Sequence, residues 1–140
     1  MKSDNISSID PAIVEFANDA FYLAFNMRDL PSMEALWAKH HPVVCIHPGW
    51  PPLFGREEVL QSWEEIFSGQ QQAPGIACYG ARVFPQGDVV TVVCYEQLPA
   101  GWLVATNNYV LEAGDLKLVH HQASQCAEPE DIESLQQSIQ

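Results

Sequence analysis

The sequence predicts an α+β domain in which helices cover one face of an antiparallel sheet, and two observations carry that prediction. Apolar residues recur at helical spacing through most of Ile13 to Phe67, whereas from Ile76 onward they form β-branched and aromatic runs of strand length. The connections between the later runs are also short. A parallel return takes about a dozen residues or more, so consecutive strands joined this way are antiparallel neighbours. Helices first and a meander afterwards leave one sheet face for the helices to cover.

Asp10-Pro11 starts the first helix, with a capping side chain and then a proline where the missing N–H costs nothing. Val14, Phe16, Ala17, Ala20, Phe21, Leu23, Ala24 and Phe25 go nearly all the way round this helix, which predicts burial on most sides. A second helix begins around Pro31, after Asp29, presents Met33, Leu36 and Trp37, and is expected to stop at Pro42. Val43 to His47 reads as a short strand ended by Pro48-Gly49-Trp50-Pro51-Pro52, which cannot continue a ladder. The third helix runs from Arg56 to Ser68, with Val59, Leu60, Trp63, Ile66 and Phe67 on one side. Gln70-Gln71-Gln72 reads as loop. Four strands follow, Ile76–Phe84, Val89–Leu98, Trp102–Leu111 and Leu116–Ser124, with turns at Pro85-Gln86-Gly87-Asp88, Pro99-Ala100-Gly101 and Ala113-Gly114-Asp115. From Glu128 the acidic end offers Ile132, Leu135 and Ile139 as its apolar anchors, enough for a short helix or a frayed tail. The organisation is then an N-terminal arm (1–9), one domain (10–126) and an acidic tail (127–140).

Composition narrows the partners. With 140 residues, 47% apolar and 17% charged, the chain is sized for one hydrophobic core. A formal net charge of −12 repels phosphate backbones and anionic lipid, so neither nucleic acid nor membrane is an expected partner. Cys45, Cys78, Cys94 and Cys126 stand singly and read as reduced thiols, and the amino terminus lacks an apolar run behind a basic start. Both features fit a cytoplasmic protein, and Asn5-Ile6-Ser7 then reads as a chance sequon.

Imidazoles set in apolar runs advertise a polar-lined pocket, because burying a polar ring costs free energy unless it finds a partner. They occur in Val43-Val44-Cys45-Ile46-His47-Pro48-Gly49-Trp50 and in Leu118-Val119-His120-His121-Gln122-Ala123-Ser124. Together with Gly55-Arg56-Glu57-Glu58-Val59, Trp63 and Thr106-Asn107, and with the order of elements, these runs resemble the nuclear transport factor two superfamily, in its SnoaL-like branch. They also resemble the calmodulin-dependent kinase II association domain. The resemblance covers roughly Asp10 to Cys126. It implies a cone-shaped cystatin-like/SnoaL-like fold, a curved antiparallel sheet wrapping the first helix around a cavity open at one end. The implied functions range from isomerases, dehydratases and cyclases to silent binding and assembly modules. Similar proteins often carry three histidines where this chain has His120-His121-Gln122, which leaves the third without a counterpart.

Strand side chains alternate between faces, so His120 and His121 cannot both enter one cavity. By similarity to the association domain, Lys117, Val119, His121 and Ala123 form the concave set, with Asn107 and Glu96 inside on the two preceding strands. Leu118 and His120 then fall on the outer face, where a homodimer contact is implied. The candidate catalytic residues are His121 as general base or acid, Glu96 orienting it, and Asn107 as hydrogen-bond donor to an enolate oxygen. Tyr22, Trp37, His47 and Trp50 are the candidate ligand contacts at rim or floor. A strand histidine in an apolar run is more often a satisfied core group, and His47 can equally fix the Pro48-Gly49 loop. Of the tryptophans, Trp37, Trp63 and Trp102 also suit plain packing, whereas Trp50 among prolines suits a ligand contact. No metal is expected, since His40-His41, His47 and His120-His121 lack the spacing of a convergent ligand set. No cofactor fingerprint, phosphate loop or nucleophile elbow is present, so the expected partner is a small-molecule ligand. Three classes of function stay open: an acid/base isomerase, dehydratase or cyclase acting on an apolar carbonyl compound, a binding protein, and an assembly module.

Overall fold

The computed structural model describes residues 6–69 and 75–138. The expected Gln70–Gln72 loop, Asn5 of the sequon and Ile139 lie outside them. In chain order the elements are α1 (Pro11–Met27), α2 (Leu30–Leu36), β1 (Val44–Ile46), β2 (Leu53–Phe54), α3 (Arg56–Phe67), β3 (Ala77–Gln86), β4 (Val89–Leu98), β5 (Gly101–Glu112) and β6 (Asp115–Gln125), and a single 3₁₀ turn follows at Ile132–Ser134.

Local chemistry accounts for the helix starts. The Asp10 side chain accepts from the Ala12 N–H at 3.0 Å, and the Asp29 side chain takes both the Ser32 N–H (3.2 Å) and the Ser32 hydroxyl (2.6 Å). α2 ends at Trp37 rather than at Pro42. Trp37 is extended, its backbone bridges Leu118 of β6, and the next N–H, of Ala38, donates to the Leu118 carbonyl at 2.9 Å. Sheet pairing takes over before the proline is reached. Glu112 then holds the following loop, accepting from the Lys39 and His40 N–H groups at 2.9 and 2.8 Å and meeting His41 Nδ1 at 2.7 Å.

The six strands are ordered β2-β1-β6-β5-β4-β3. The meander β3 to β6 is antiparallel throughout, as the short turns require, but β1 joins β6 in parallel, with Cys45 opposite His121. The sheet is therefore mixed rather than wholly antiparallel. Short connections constrain only neighbours in sequence, and the long stretch between β1 and β6 leaves their direction free. The two-residue turn Ala113-Gly114 between β5 and β6 has φ of 51° and 84°, the backbone of a type I′ hairpin.

The sheet curves around α1, whose side chains touch four strands. Asn18 reaches Cys78, Cys94 and Tyr109, on β3, β4 and β5, and the Phe21 ring lies 4.8 Å from that of His121 on β6. Only one side of α1 is covered, however. Phe16 and Met27 are 76% and 69% exposed, and Ile13 and Leu23 are also exposed, so the expected burial on most sides does not hold. A second difference lies in β6. The pairing register slips between Asn108 and Tyr109, opposite Val119, and this bulge resets the alternation. Leu118, assigned to the outer face by simple alternation, is fully buried, while His121 and Ala123 keep their inner positions. The 136–138 segment lies along β3, with Gly80 N–H donating to the Gln136 carbonyl and Ser138 N–H to the Cys78 carbonyl, both at 2.9 Å.

Candidate functional site

At one end of the cone, α1, α3, β4, β5, β6 and the loop after β1 line a cavity of about 230 Å³. Its walls are largely apolar, formed by Phe21, Phe25, Trp63, Ile66, Leu98 and Leu103 among others, and its ionisable lining is His47, Glu96 and His121. No Lys or Arg stands among the described lining residues.

His47 follows β1 directly. Pro48 and Gly49 (φ 80°) form a tight turn closed by the Trp50 N–H donating to the His47 carbonyl at 2.9 Å. The turn brings the Trp50 ring to 4.8 Å from the His47 imidazole, while Trp63 from α3 packs edge-on at 4.6 Å on that ring. The Ser62 hydroxyl donates to the Val59 carbonyl at 2.6 Å, so at its 2.9 Å contact with His47 Nε2 it is the acceptor and the proton is on Nε2. Burial pushes the His47 pKa down to about 4.

Glu96 sits on β4, 2% exposed. Its Oε2 accepts the Tyr22 hydroxyl at 2.6 Å. Burial raises its pKa to about 7 even though that hydrogen bond favours the carboxylate. His121 faces it from β6, with Nδ1 2.5 Å from Asn107 Oδ1. Burial, then the neighbouring His47 and His120, lower the His121 pKa to about 3, so the ring is neutral over the whole physiological range.

The structure thus brings His47, Trp50, Glu96 and His121 together around one cavity. Asn107 and Tyr22 stand behind it, fully buried, and Trp37 is buried against β6 away from the lining. The hydrogen bonds differ from those expected. Asn107, not Glu96, orients the His121 ring, and both amide hydrogens of Asn107 are already used, on Asn18 Oδ1 (2.9 Å) and the Tyr22 oxygen (3.2 Å). No N–H is left for an enolate oxygen. Burial also moves the two pKa values in opposite directions, up for Glu96 and down for His121.

Sequence reasoning missed Asn18, Tyr109 and Ser62. Asn18 had a readable signal, an amide one turn before Tyr22 on a largely apolar helix. Ser62 had none. The Trp63 indole N–H is buried without a partner among the described residues, in a side chain that lines the cavity. Among the described residues no group of three His, Cys, Asp or Glu side chains is placed to hold a metal ion.

Comparison with known proteins agrees with this architecture. Residues 14–128 match the SnoaL-like domain, and the chain belongs to that family, within the nuclear transport factor two superfamily. A candidate dehydratase of the NTF2-like family from Streptomyces avermitilis is 32% identical, with a TM-score of 0.75 over 84% of this chain and 96% of that one. A candidate calcium/calmodulin-dependent protein kinase type II association domain from Thiobacillus denitrificans is 34% identical, with a TM-score of 0.69 over 80% of this chain and 94% of that one. The F-box protein SKIP8 of Arabidopsis thaliana is 29% identical over 108 residues, 76% of this chain, and the match spans 47% of that protein, about half its length.

Proposed function

We propose that the chain is an acid/base enzyme that dehydrates or isomerises a small, uncharged, largely apolar carbonyl compound in this cavity. The observation that carries the reading is Glu96, a nearly buried carboxyl with a pKa of about 7, lining an apolar cavity beside a neutral imidazole. A group titrating near neutral pH is present in both forms and can accept and return a proton in one cycle. For a β-hydroxy carbonyl substrate, the Glu96 carboxylate removes the proton next to the carbonyl as the C–H electron pair becomes the new double bond. The C–O bond breaks, and Glu96 passes the proton to the departing hydroxyl, which leaves as water. His121 holds that hydroxyl through Nε2, and Trp50 and His47 bound the substrate at the rim. The absence of a cation among the described lining residues and the net charge of −12 argue against an anionic substrate. An engineered cavity of about 150 Å³ takes benzene, so 230 Å³ suits a ligand of about ten non-hydrogen atoms. The candidate dehydratase among the relatives supports dehydration over the other reactions.

A panel of small β-hydroxy carbonyls and their enones, screened by thermal shift and then for absorbance change, tests this. Glu96→Gln is expected to lower turnover by ~10²-fold or more while still binding product. A folded Glu96→Gln protein with wild-type turnover sinks the reading.

The association-domain relative favours a second reading, a binding or assembly module with the same pocket. In either case we propose a homodimer through the outer sheet face, where Val44, Ile46, Val93, Tyr95 and Val104 are half-exposed and mostly apolar. The free thiols Cys45, Cys78, Cys94 and Cys126 support a reducing, cytoplasmic setting.

A further inference from the structure

We infer that Tyr22 and Asn107 are positioning residues that make the tautomer of His121 answer to Glu96, four residues forming one hydrogen-bond chain of fixed direction. The inference rests on reading Glu96 and His121 as parts of one site. It concerns groups behind the cavity that never touch a ligand.

The direction follows from which atoms can donate. An ionised Glu96 has only acceptors, so at the 2.6 Å contact the single Tyr22 hydroxyl proton goes to Oε2. The Tyr22 oxygen, having spent its proton, accepts from Asn107 Nδ2 at 3.2 Å. The other Nδ2 hydrogen goes to Asn18 Oδ1 at 2.9 Å, an oxygen that also takes the Tyr109 hydroxyl proton at 2.9 Å. With its nitrogen turned to Tyr22 and Asn18, Asn107 must present its oxygen to His121. An amide oxygen only accepts, so His121 carries its proton on Nδ1 and offers the Nε2 lone pair.

The reverse arrangement is reachable only if the first link lets go. Were the Tyr22 proton free of Glu96, Tyr22 could donate to Asn107, the amides of Asn107 and Asn18 could turn over together so that their oxygens do not face each other, and the Asn107 N–H would meet His121 Nδ1. The imidazole would then hold its proton on Nε2 and present a donor instead of an acceptor. All four residues are buried, where an unmatched donor–donor or acceptor–acceptor pair costs about 1–3 kcal/mol, so the chain switches as a unit. Glu96 therefore keeps Oε1 for proton transfer while Oε2 sets the polarity of the group across the cavity.

Protein labelled with ¹⁵N at histidine reports the tautomer directly through long-range proton–nitrogen correlations at pH 7.5. The wild type is expected to show His121 in the Nδ1–H form. Tyr22→Phe and Glu96→Leu, neither of which alters an atom bonded to His121, are each expected to lower the ratio of Nδ1–H to Nε2–H form on the order of fivefold or more. Ile76→Val, a lining change off the chain, should leave it unaltered. His121 in the Nε2–H form in the wild type overturns the inference. So does an unchanged tautomer in whichever of the two variants folds. Turnover plays no part in this readout, so an inactive protein with the expected tautomer counts against the proposed reaction alone, and an active protein with the other tautomer counts against this inference alone.

Discussion

Replacing Glu96 by glutamine keeps the shape and an acceptor for the Tyr22 hydroxyl, but removes the only carboxyl among the described lining residues. The expected consequence for stability is a dependence on pH with a definite sign. Burial raises the Glu96 pKa from 4.5 to about 7, so between those values the folded chain binds a proton that the unfolded chain has released. The stability this group contributes is fully present below pH 4.5 and is lost as pH rises through 7. At about 1.4 kcal/mol per pKa unit the loss amounts to roughly 3 kcal/mol. Urea denaturation of wild type and Glu96→Gln at intervals from pH 4.5 to 8.5 reports this contribution as the difference between the two proteins, both of which keep the buried histidines. Relative to wild type, the variant should gain stability across that range by an amount of this order, most of it between pH 5 and 7. A difference that stays flat, or one with the opposite slope, would refute the argument that Glu96 is held protonated by burial.

Other expectations follow from the same structure. His47 and His121, with pKa values lowered to about 4 and about 3, are neutral when folded, so wild-type stability should fall as pH drops below 6.5, with a combined slope on the order of 3 kcal/mol per pH unit near pH 5 before the opposing Glu96 contribution. His47→Asn should remove about half of that slope, as measured by denaturation at pH 4.5 and 6.5. Ala113 holds a left-handed φ of 51° in the β5–β6 turn, and Ala113→Gly should raise stability by ~1 kcal/mol in calorimetry or urea titration. Glu112→Ala strips three partners from the loop after α2 and should cost about 2 kcal/mol, with faster amide exchange at Lys39 and His40.

Much of the fold was legible because its signals are local. The capping aspartates at 10 and 29, the turn sequences and the strand runs each report on a few neighbouring residues, and α1, α3 and the meander form where those signals place them. What escaped depends on contacts between distant residues. The parallel pairing of β1 with β6, the early end of α2 against Leu118 and the Val119 bulge are set by tertiary pairing that no short window contains. The site divides in the same way. His121 and Glu96 could be placed on inner faces by alternation and resemblance, but alternation does not say which polar atoms meet. Glu96 gives one oxygen to Tyr22, while Asn107 spends its donors on Asn18 and Tyr22. Nor could the pKa order of the pair be read from residue types, because it arises from how deeply each is buried.

The central claim is that Glu96 exchanges protons near neutral pH inside the cavity, and a carboxyl carbon titration measures it without any substrate. With glutamate labelled at the side-chain carboxyl, the Glu96 resonance, assigned by its absence in Glu96→Gln, should titrate with a midpoint near 7, as its burial implies. A midpoint at or below the ordinary value of 4.5 would contradict the claim.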